Sequence, residues 1–222
     1  MLSNLINNYQ FIHMIGLIFA FVATFICTKM LKKYLPLDQG KVLAVDSMKS
    51  AGKPEGAGII FVLVFIIAGF LFGTVSVENS IYLVIIGICM LTGYLDDCAK
   101  IPWHEYFKGA LDLVVAAMVA FTYIYFNGTE VVLRIIDIKL NFNPVLLGFI
   151  IVCLVWCSIN VTNCSDGVDG LSASLTISTL SAFYLTANES MKNAGYDYFI
   201  LLFVVCLLAY LWFNANPSIL LM

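Results

Sequence analysis

Residues 160–171 read NVTNCSDGVDGL and separate two long apolar stretches of the chain. Amide, hydroxyl and carboxylate side chains follow one another here, at or near the end of a predicted membrane helix. Carboxylates at that depth are costly unless they face a water-filled cavity or an ion. Gly167 and Gly170 let the backbone turn tightly and approach a ligand closely. The stretch therefore predicts a polar site at a membrane boundary.

The composition indicates the solvent in which the chain folds. Of its 222 residues, 62% are hydrophobic and only 11% are charged. Soluble domains have about 45–50% apolar and about 25% charged residues. The sequence therefore predicts an all-α polytopic membrane protein, with residues 1–222 forming a single transmembrane domain. The net charge of −3 and the scattered Lys and Arg residues argue against nucleic acid as a partner.

The apolar stretches have the lengths of membrane helices. A hydrocarbon core about 30 Å thick takes roughly 20 helical residues. By that measure the sequence predicts about seven transmembrane helices, at residues 10–30, 56–75, 81–95, 108–126, 145–161, 170–187 and 197–213. Alternating apolar and polar residues over 136–142 predict a small extracytoplasmic β-hairpin. The residues Asn214, Asn216 and Pro217 end the last helix near the level of the earlier polar motifs.

The distribution of basic residues predicts the orientation in the membrane, since Lys and Arg are enriched on the inner side. With the N-terminus outside, the inner segments hold eight Lys residues and the outer segments hold three basic residues. The inner residues are Lys29, Lys32, Lys33, Lys41, Lys49, Lys53, Lys100 and Lys108, and the outer ones are Arg134, Lys139 and Lys192. This orientation places the polar stretch at residues 160–171 on the cytoplasmic side.

A Gly-rich loop at residues 50–58, SAGKPEGAG, opens directly into an apolar helix. Backbone N–H groups at a helix N-terminus attract anions, and Lys53 adds a positive charge. The loop is therefore a candidate anion cradle. The alternative is an ordinary flexible turn that carries a Lys on the inner side. It is not a Walker A loop, because that spacing is absent.

The third predicted helix runs into the adjacent carboxylates Asp96 and Asp97. Mg²⁺ bound to phosphates would neutralise them, since this ion prefers one or two carboxylates together with phosphate oxygens and water. The alternative is that they are solvated charges at a helix end, paired with Lys100 or Lys108. Carboxylates, amides and lysines from three inner segments together suit phosphate chemistry on a lipid-borne substrate.

Three motifs carry a family resemblance: Asp96-Asp97, the run N-x-x-N-x-x-D-G-x-D-G-L at 160–171, and W-F-N-x-x-P at 212–217. In this order they closely resemble the polyprenyl-phosphate N-acetylhexosamine-1-phosphate transferases, which form glycosyltransferase family 4. The wording of residues 163–171 is most similar to the muramoyl-pentapeptide branch of that family. The resemblance covers essentially the whole chain.

The resemblance implies an enzyme of peptidoglycan synthesis in the bacterial cytoplasmic membrane, with its active site facing the cytoplasm. Phospho-N-acetylmuramoyl-pentapeptide would pass from its UDP-linked amino-sugar donor to undecaprenyl phosphate, giving lipid I and UMP. The implied cofactor is Mg²⁺, the implied surroundings are membrane lipid, and homodimers occur in the family.

The resemblance also implies roles for individual residues. Asp96 or Asp97 would be the base that acts on the lipid phosphate, with its neighbour near the metal, and Asp166 would be a further catalytic carboxylate. Asp97 and Asn163 would contact Mg²⁺. The implied substrate-binding residues are Lys49, Lys53, Lys108, Asn160, Asn163, Gly167, Val168 and Asp169.

Departures from the family pattern define what we expect of this chain. Residues 53–58 read KPEGAG where the family commonly has TPTMGG, so that either Lys49 or Lys53 would meet phosphate. Leu221 stands where an aromatic residue usually stacks on uracil. In the family, the position of Met222 is followed by Gly-Asp, which supplies a third aspartate, and by three more helices. We therefore expect the chain to be the N-terminal two-thirds of a ten-helix enzyme and inactive by itself.

Three alternatives remain open from the sequence. The first is a related transferase that uses a different N-acetylhexosamine. The second is a truncated, inactive paralogue that binds a nucleotide sugar or a lipid. The third is a purely structural membrane protein with polar helix ends.

Overall fold

The computed structural model describes residues 9–38, 52–99, 101, 103–133 and 138–222, and these residues are mostly helical. Five of the helices in this part of the chain are long and apolar enough to cross a membrane. In chain order the helices are α1 (Tyr9–Leu31), α2 (Gly58–Phe72), α3 (Val77–Asp97), α4 (Glu105–Asn127), α5 (Pro144–Ser165), α6 (Leu171–Leu185), α7 (Glu189–Asn193) and α8 (Tyr196–Asn214). The five long ones are α1, α3, α4, α5 and α8. The chain is a multi-pass membrane protein, as its composition predicts.

Each of the seven predicted transmembrane stretches contains a helix, but two of these helices are short. α2 and α6 have 15 residues each. At about 1.5 Å per residue they measure roughly 22 Å, less than the thickness of a hydrocarbon core. The five-residue helix α7 was not predicted, because it lacks an apolar stretch of its own.

Two helices run two or more residues past their predicted last residues. The third helix was expected to end at residue 95 and the fifth at residue 161, whereas α3 ends at Asp97 and α5 at Ser165. Apolar content set the predicted ends, but helices are stopped by Gly and Pro, and the first of these beyond residue 161 is Gly167. The carboxylates of α3 and Asn163 of α5 therefore lie on last helical turns rather than in loops.

The predicted β-hairpin is present between α4 and α5. Its strands are β1 (Glu130–Leu133) and β2 (Ile138–Asn141), which pair antiparallel with Glu130 opposite Asn141 and Leu133 opposite Ile138. Gly128, at the end of α4, has a φ of 72°, which glycine adopts without strain. The placement of this hairpin on the outer side of the membrane remains a prediction.

Helix α8 is the centre of the packing. It contacts α1, α2 and α6, while α3, α4 and α5 follow outward from α2 in chain order. Its side chains Leu202, Leu207 and Tyr210 are fully or almost fully buried. Ala20 of α1 and Ala209 of α8 are also fully buried, and small residues of this kind let membrane helices approach closely.

Substituting Gly16 of α1 tests this close packing. A Cβ atom at Gly16 would lie 2.7 Å from the Cβ of Phe72 and would also meet the hydroxyl of Tyr198. Gly16→Ala is therefore expected to lower the free energy of unfolding by about 1–3 kcal/mol, measured by thermal unfolding in detergent micelles.

The matched control is Gly93→Ala in α3, where a Cβ would meet nothing within 4 Å. This variant is expected to be as stable as the original chain, or up to about 1 kcal/mol more stable because Ala favours the helix. Equal effects of the two substitutions would contradict the packing described here.

Candidate functional site

Polar residues from several distant segments meet at one end of the helix bundle. Lys53, in the loop before α2, contacts Asp169 in the turn between α5 and α6. The same loop returns to the segment after α8, where the Leu221 N–H donates to the Pro54 carbonyl at 2.8 Å and the Ala57 N–H donates to the Leu221 carbonyl at 3.2 Å. These contacts bring the beginnings of α2 and α6 to the end of α8.

Asp96 is held by two partners. Its Oδ1 accepts a hydrogen bond from the Trp103 N–H at 3.0 Å, and its Oδ2 lies 2.7 Å from the Lys108 Nζ. The side chains of Lys108 and Asp96 are only 24% and 15% exposed. The pairing with Lys108, one of the alternatives expected from the sequence, is confirmed for Asp96. Lys100, the other expected partner, lies outside the described residues.

Asp97 lies beside the Gly-rich loop. A Cβ at Gly56 would come 3.4 Å from the Asp97 Oδ2 and 3.2 Å from the ring of Tyr94. Gly56 has a φ of 77°, which other residues rarely adopt. Glycine therefore allows the loop to come close to the last turn of α3, so that the Asp97 carboxylate and the backbone before α2 form one wall of the site.

Asp169 is at the centre of a second polar group. Its Oδ2 accepts the Ser218 N–H at 3.1 Å and lies 3.6 Å from the Lys53 Nζ, which in turn donates to the Ser218 Oγ at 2.8 Å. Partial burial alone would raise the pKa of the Asp169 carboxyl. The hydrogen bonds from Ser218 and the charge of Lys53 outweigh this effect, so that the pKa lies below its ordinary value.

Asn214, the last residue of α8, connects the turn before α6 to the segment that follows α8. Its Oδ1 accepts the Gly170 N–H at 3.0 Å, and its Nδ2 donates to the Leu220 carbonyl at 3.0 Å. The Asn214 side chain is buried. The sequence identified Asn214 and Pro217 as residues that end the helix and as part of the W-F-N-x-x-P motif, but it missed the contacts of Asn214 and Ser218. The available signals were that motif and an amide at the level of the other polar motifs.

Of the remaining predicted site residues, those that the structure describes lie on or after the last turns of α5. The Asn160 Nδ2 donates to the Trp156 carbonyl at 2.8 Å, so this amide is bonded within its own helix. Asn163 is exposed, and its carbonyl accepts the Asp166 N–H at 3.2 Å. Among the described residues, these hydrogen bonds of Asn160 and Asn163 stay within α5 and the turn after it. Gly167 and Val168 are exposed on that turn, and Lys49 lies outside the described residues.

The side chains present are compatible with a magnesium ion that is bound mainly through a substrate. Within the described part of the chain, no group of three or more His, Cys, Asp or Glu residues converges on one point. Mg²⁺ in proteins often uses only one or two carboxylates and completes its shell with phosphate oxygens and water. The Asp97 carboxylate and the exposed Asn163 amide supply oxygen ligands of the kind that such an ion takes, and their joint contact with Mg²⁺ stays a prediction.

Comparison with known sequences supports the motif-based resemblance. The profile of glycosyl transferase family 4 matches residues 79–222. The chain is similar to the phospho-N-acetylmuramoyl-pentapeptide-transferase of Treponema pallidum strain Nichols, with 34% identity over 98% of this chain and 65% of the relative. Relatives of the same name from Thermotoga neapolitana and Clostridium novyi are 30% and 27% identical, over 75% and 77% of this chain and 53% and 54% of their own lengths. The chain thus spans just under two thirds of the Treponema relative.

The lowered pKa of Asp169 predicts how acid affects stability. Because the folded-state pKa lies below the unfolded one, the contribution of Asp169 is present above its ordinary pKa and is lost as the pH falls through the folded value. As the pH is lowered from about 6 to about 3, the unfolding temperature of Asp169→Asn is therefore expected to fall less than that of the original chain, measured by thermal unfolding in detergent.

Lys53→Met provides the partner control, because it removes the cation that faces Asp169. In the Lys53→Met background, the further change Asp169→Asn is expected to alter stability at about pH 6 less than it does alone, as a double-mutant cycle requires of coupled residues. Parallel acid profiles for the original chain and Asp169→Asn would rule out the proposed contribution of this carboxylate.

Proposed function

Because the chain belongs to glycosyl transferase family 4, we propose that it takes part in the transfer of phospho-N-acetylmuramoyl-pentapeptide from its UDP-linked donor to undecaprenyl phosphate. The products are lipid I and UMP. The observation that carries this proposal is the meeting of Lys53 with Asp169 and of Gly56 with Asp97 at one end of the bundle. These contacts unite the motif segments that the family resemblance rests on.

The reaction exchanges one phosphorus–oxygen bond for another. A phosphate oxygen of undecaprenyl phosphate attacks the sugar-linked phosphorus of the UDP donor, and the bond from that phosphorus to the bridging oxygen breaks. UMP leaves with the bridging oxygen. The second pKa of a phosphate monoester is about 6, so the acceptor is largely deprotonated at neutral pH. The protein is therefore needed mainly for positioning and for charge stabilisation.

We assign different roles to the two neighbouring carboxylates. Asp96 has both oxygens engaged, by Lys108 and by the Trp103 N–H, so its role is to fix the end of α3 and the beginning of α4. Asp97 faces the Gly-rich loop, and it takes the contact with the reacting phosphates and any residual proton of the acceptor. Asp166 remains a further catalytic carboxylate in this proposal, next to Asn163.

The substrate phosphates are held by positive charge from two sides. Lys53 and Lys108 lie in ion pairs with side chains of intermediate exposure, so their remaining donor hydrogens can serve a phosphate. Gly167 and Val168, which are exposed, contact the nucleoside together with Asp169. When bound by Asp97 and Asn163, Mg²⁺ would neutralise diphosphate charge and polarise its oxygens.

A hybrid protein tests the reaction. Residues 1–222 are joined to the part of the Treponema pallidum relative that follows the matched region, and the purified hybrid is supplied with undecaprenyl phosphate, Mg²⁺ and the UDP-linked muramoyl-pentapeptide. We expect lipid I and UMP to form, and Asp97→Asn to lower turnover by roughly 10²–10⁴-fold, the usual loss for a residue that transfers a proton.

The matched control is Asp197→Asn, which changes a carboxylate in the first turn of α8, at the opposite end of that helix from Asn214. Its turnover is expected to equal that of the hybrid. Turnover with UDP-N-acetylglucosamine instead would favour the related-transferase alternative. Donor binding without any turnover, while the Treponema protein itself is active, would favour the inactive paralogue.

Thiol labelling tests the proposed orientation, in which the site faces the cytoplasm. Cys98 and Cys164 are exposed and lie directly beside Asp97 and Asn163. A maleimide that cannot cross membranes is expected to label them in inverted vesicles and not in intact cells. A cysteine introduced at Lys139 in β2 should show the opposite pattern. Labelling of Cys98 in intact cells would reverse the orientation.

A further inference from the structure

The turn between α5 and α6 is fixed at its two last residues. Asp169 accepts the Ser218 N–H and pairs with Lys53, while the Gly170 N–H donates to the Asn214 Oδ1. The two residues before them, Gly167 and Val168, are exposed, and Val168 is 61% exposed. The turn thus has an exposed half, Gly167 and Val168, and a fixed half, Asp169 and Gly170, which is bonded to the end of α8 and to the residues after it.

Asn214 has the geometry to set where that turn lies. It is 4% exposed, and its oxygen and nitrogen bond two backbone groups from different segments, Gly170 and Leu220. The two segments lie close together, because a Cβ at Gly170 would be in van der Waals contact with the Ala215 Cα at 3.6 Å and with the Leu211 Cδ1 at 3.5 Å. Gly170 has a φ of 74°, which keeps its N–H directed at the end of α8. The Asn214 side chain therefore sets the distance between the turn before α6 and the segment after α8.

The segment held through the Leu220 carbonyl also reaches the Gly-rich loop. The next residue, Leu221, exchanges two backbone hydrogen bonds with that loop, through Pro54 and Ala57. Between Asn214 and Leu220 in the chain, the Ser218 Oγ accepts a hydrogen bond from the Lys53 Nζ. A displacement of Asn214 would therefore change the position of the exposed turn relative to the cation that faces it.

We propose that Asn214 is a positioning residue for the donor nucleotide, which it never touches. It fixes the Gly167–Gly170 turn through the Gly170 N–H and thereby sets the distance between the nucleoside contacts on that turn and the phosphate-binding side chain of Lys53. The inference rests on the proposed function, because the turn matters in this way only if it binds the donor.

Two substitutions at Asn214 separate positioning from simple support of the fold. Asn214→Leu keeps the approximate volume but leaves the buried Gly170 N–H and Leu220 carbonyl without partners. Asn214→Asp keeps an acceptor for the Gly170 N–H. The control is Asn216→Leu, which changes an exposed amide two residues further along the chain.

The first measurement is amide hydrogen exchange of the 222-residue chain in detergent. In Asn214→Leu we expect the Gly170 amide to exchange faster, while the amides in the middle of α6 and α8 stay protected. Asn214→Asp should restore protection at Gly170 in part, and Asn216→Leu should leave it unchanged. Loss of protection throughout both helices in Asn214→Leu and Asn214→Asp would overturn the inference in favour of a general structural role.

The second measurement is the affinity of the same chains for UDP, by titration calorimetry. Asn214→Leu is expected to weaken UDP binding about 10- to 100-fold, the size of effect that a displaced positioning group produces, with Asn214→Asp in between. UDP binding that is unchanged in Asn214→Leu would overturn this inference alone. Failure of the original chain to bind UDP would overturn it together with the proposed function.

Discussion

The ion pair between Lys53 and Asp169 is the interaction on which the polar end of this protein depends. Both side chains are 26% exposed, so each charge is partly removed from water and needs its partner. Ser218 completes the group by donating its N–H to Asp169 and accepting Lys53 at its Oγ. Lys53 and Ser218 are 165 residues apart in the chain. A single group of three side chains thus fixes the loop before α2, the turn before α6 and the segment after α8 against one another.

Helix α8 makes this arrangement possible, because it is packed on three sides and ends at the site. Its buried residues, such as Leu202 and Tyr210, hold it against α1, α2 and α6. Membrane helices gain little from apolar contacts with one another compared with lipid, so close packing and satisfied polar groups supply the specificity. The polar contacts at the end of α8 and the close contacts along it therefore act on the same element.

The sequence predicted the membrane helices and the hairpin because both depend on local patterns of apolar residues. It also offered the pairing of Asp96 with Lys108 as one alternative, since the two lie on neighbouring segments. It did not predict where α3 and α5 end, because apolar content does not report helix stops. It could not predict the bonds of Asn214, because its partner Gly170 is 44 residues away and nothing local indicates that contact.

Helix α5 is connected to the bundle very differently from α8. Only Leu147 is buried along its described length, and α5 packs mainly against α4 and meets α6 near the turn that joins them. The Asp96–Lys108 pair fixes the beginning of α4 to α3. At the other end of α4, the Asn127 Nδ2 donates to the Glu78 Oε1 of α3 at 2.6 Å, so α4 is tied to α3 at both of its ends. Helix α5 has no such pair of ties to α3 among the described residues, and it reaches the bundle through α4 and through the turn before α6. The position of Asn163 therefore depends on how α5 packs against α4, with few buried side chains along α5 to fix it.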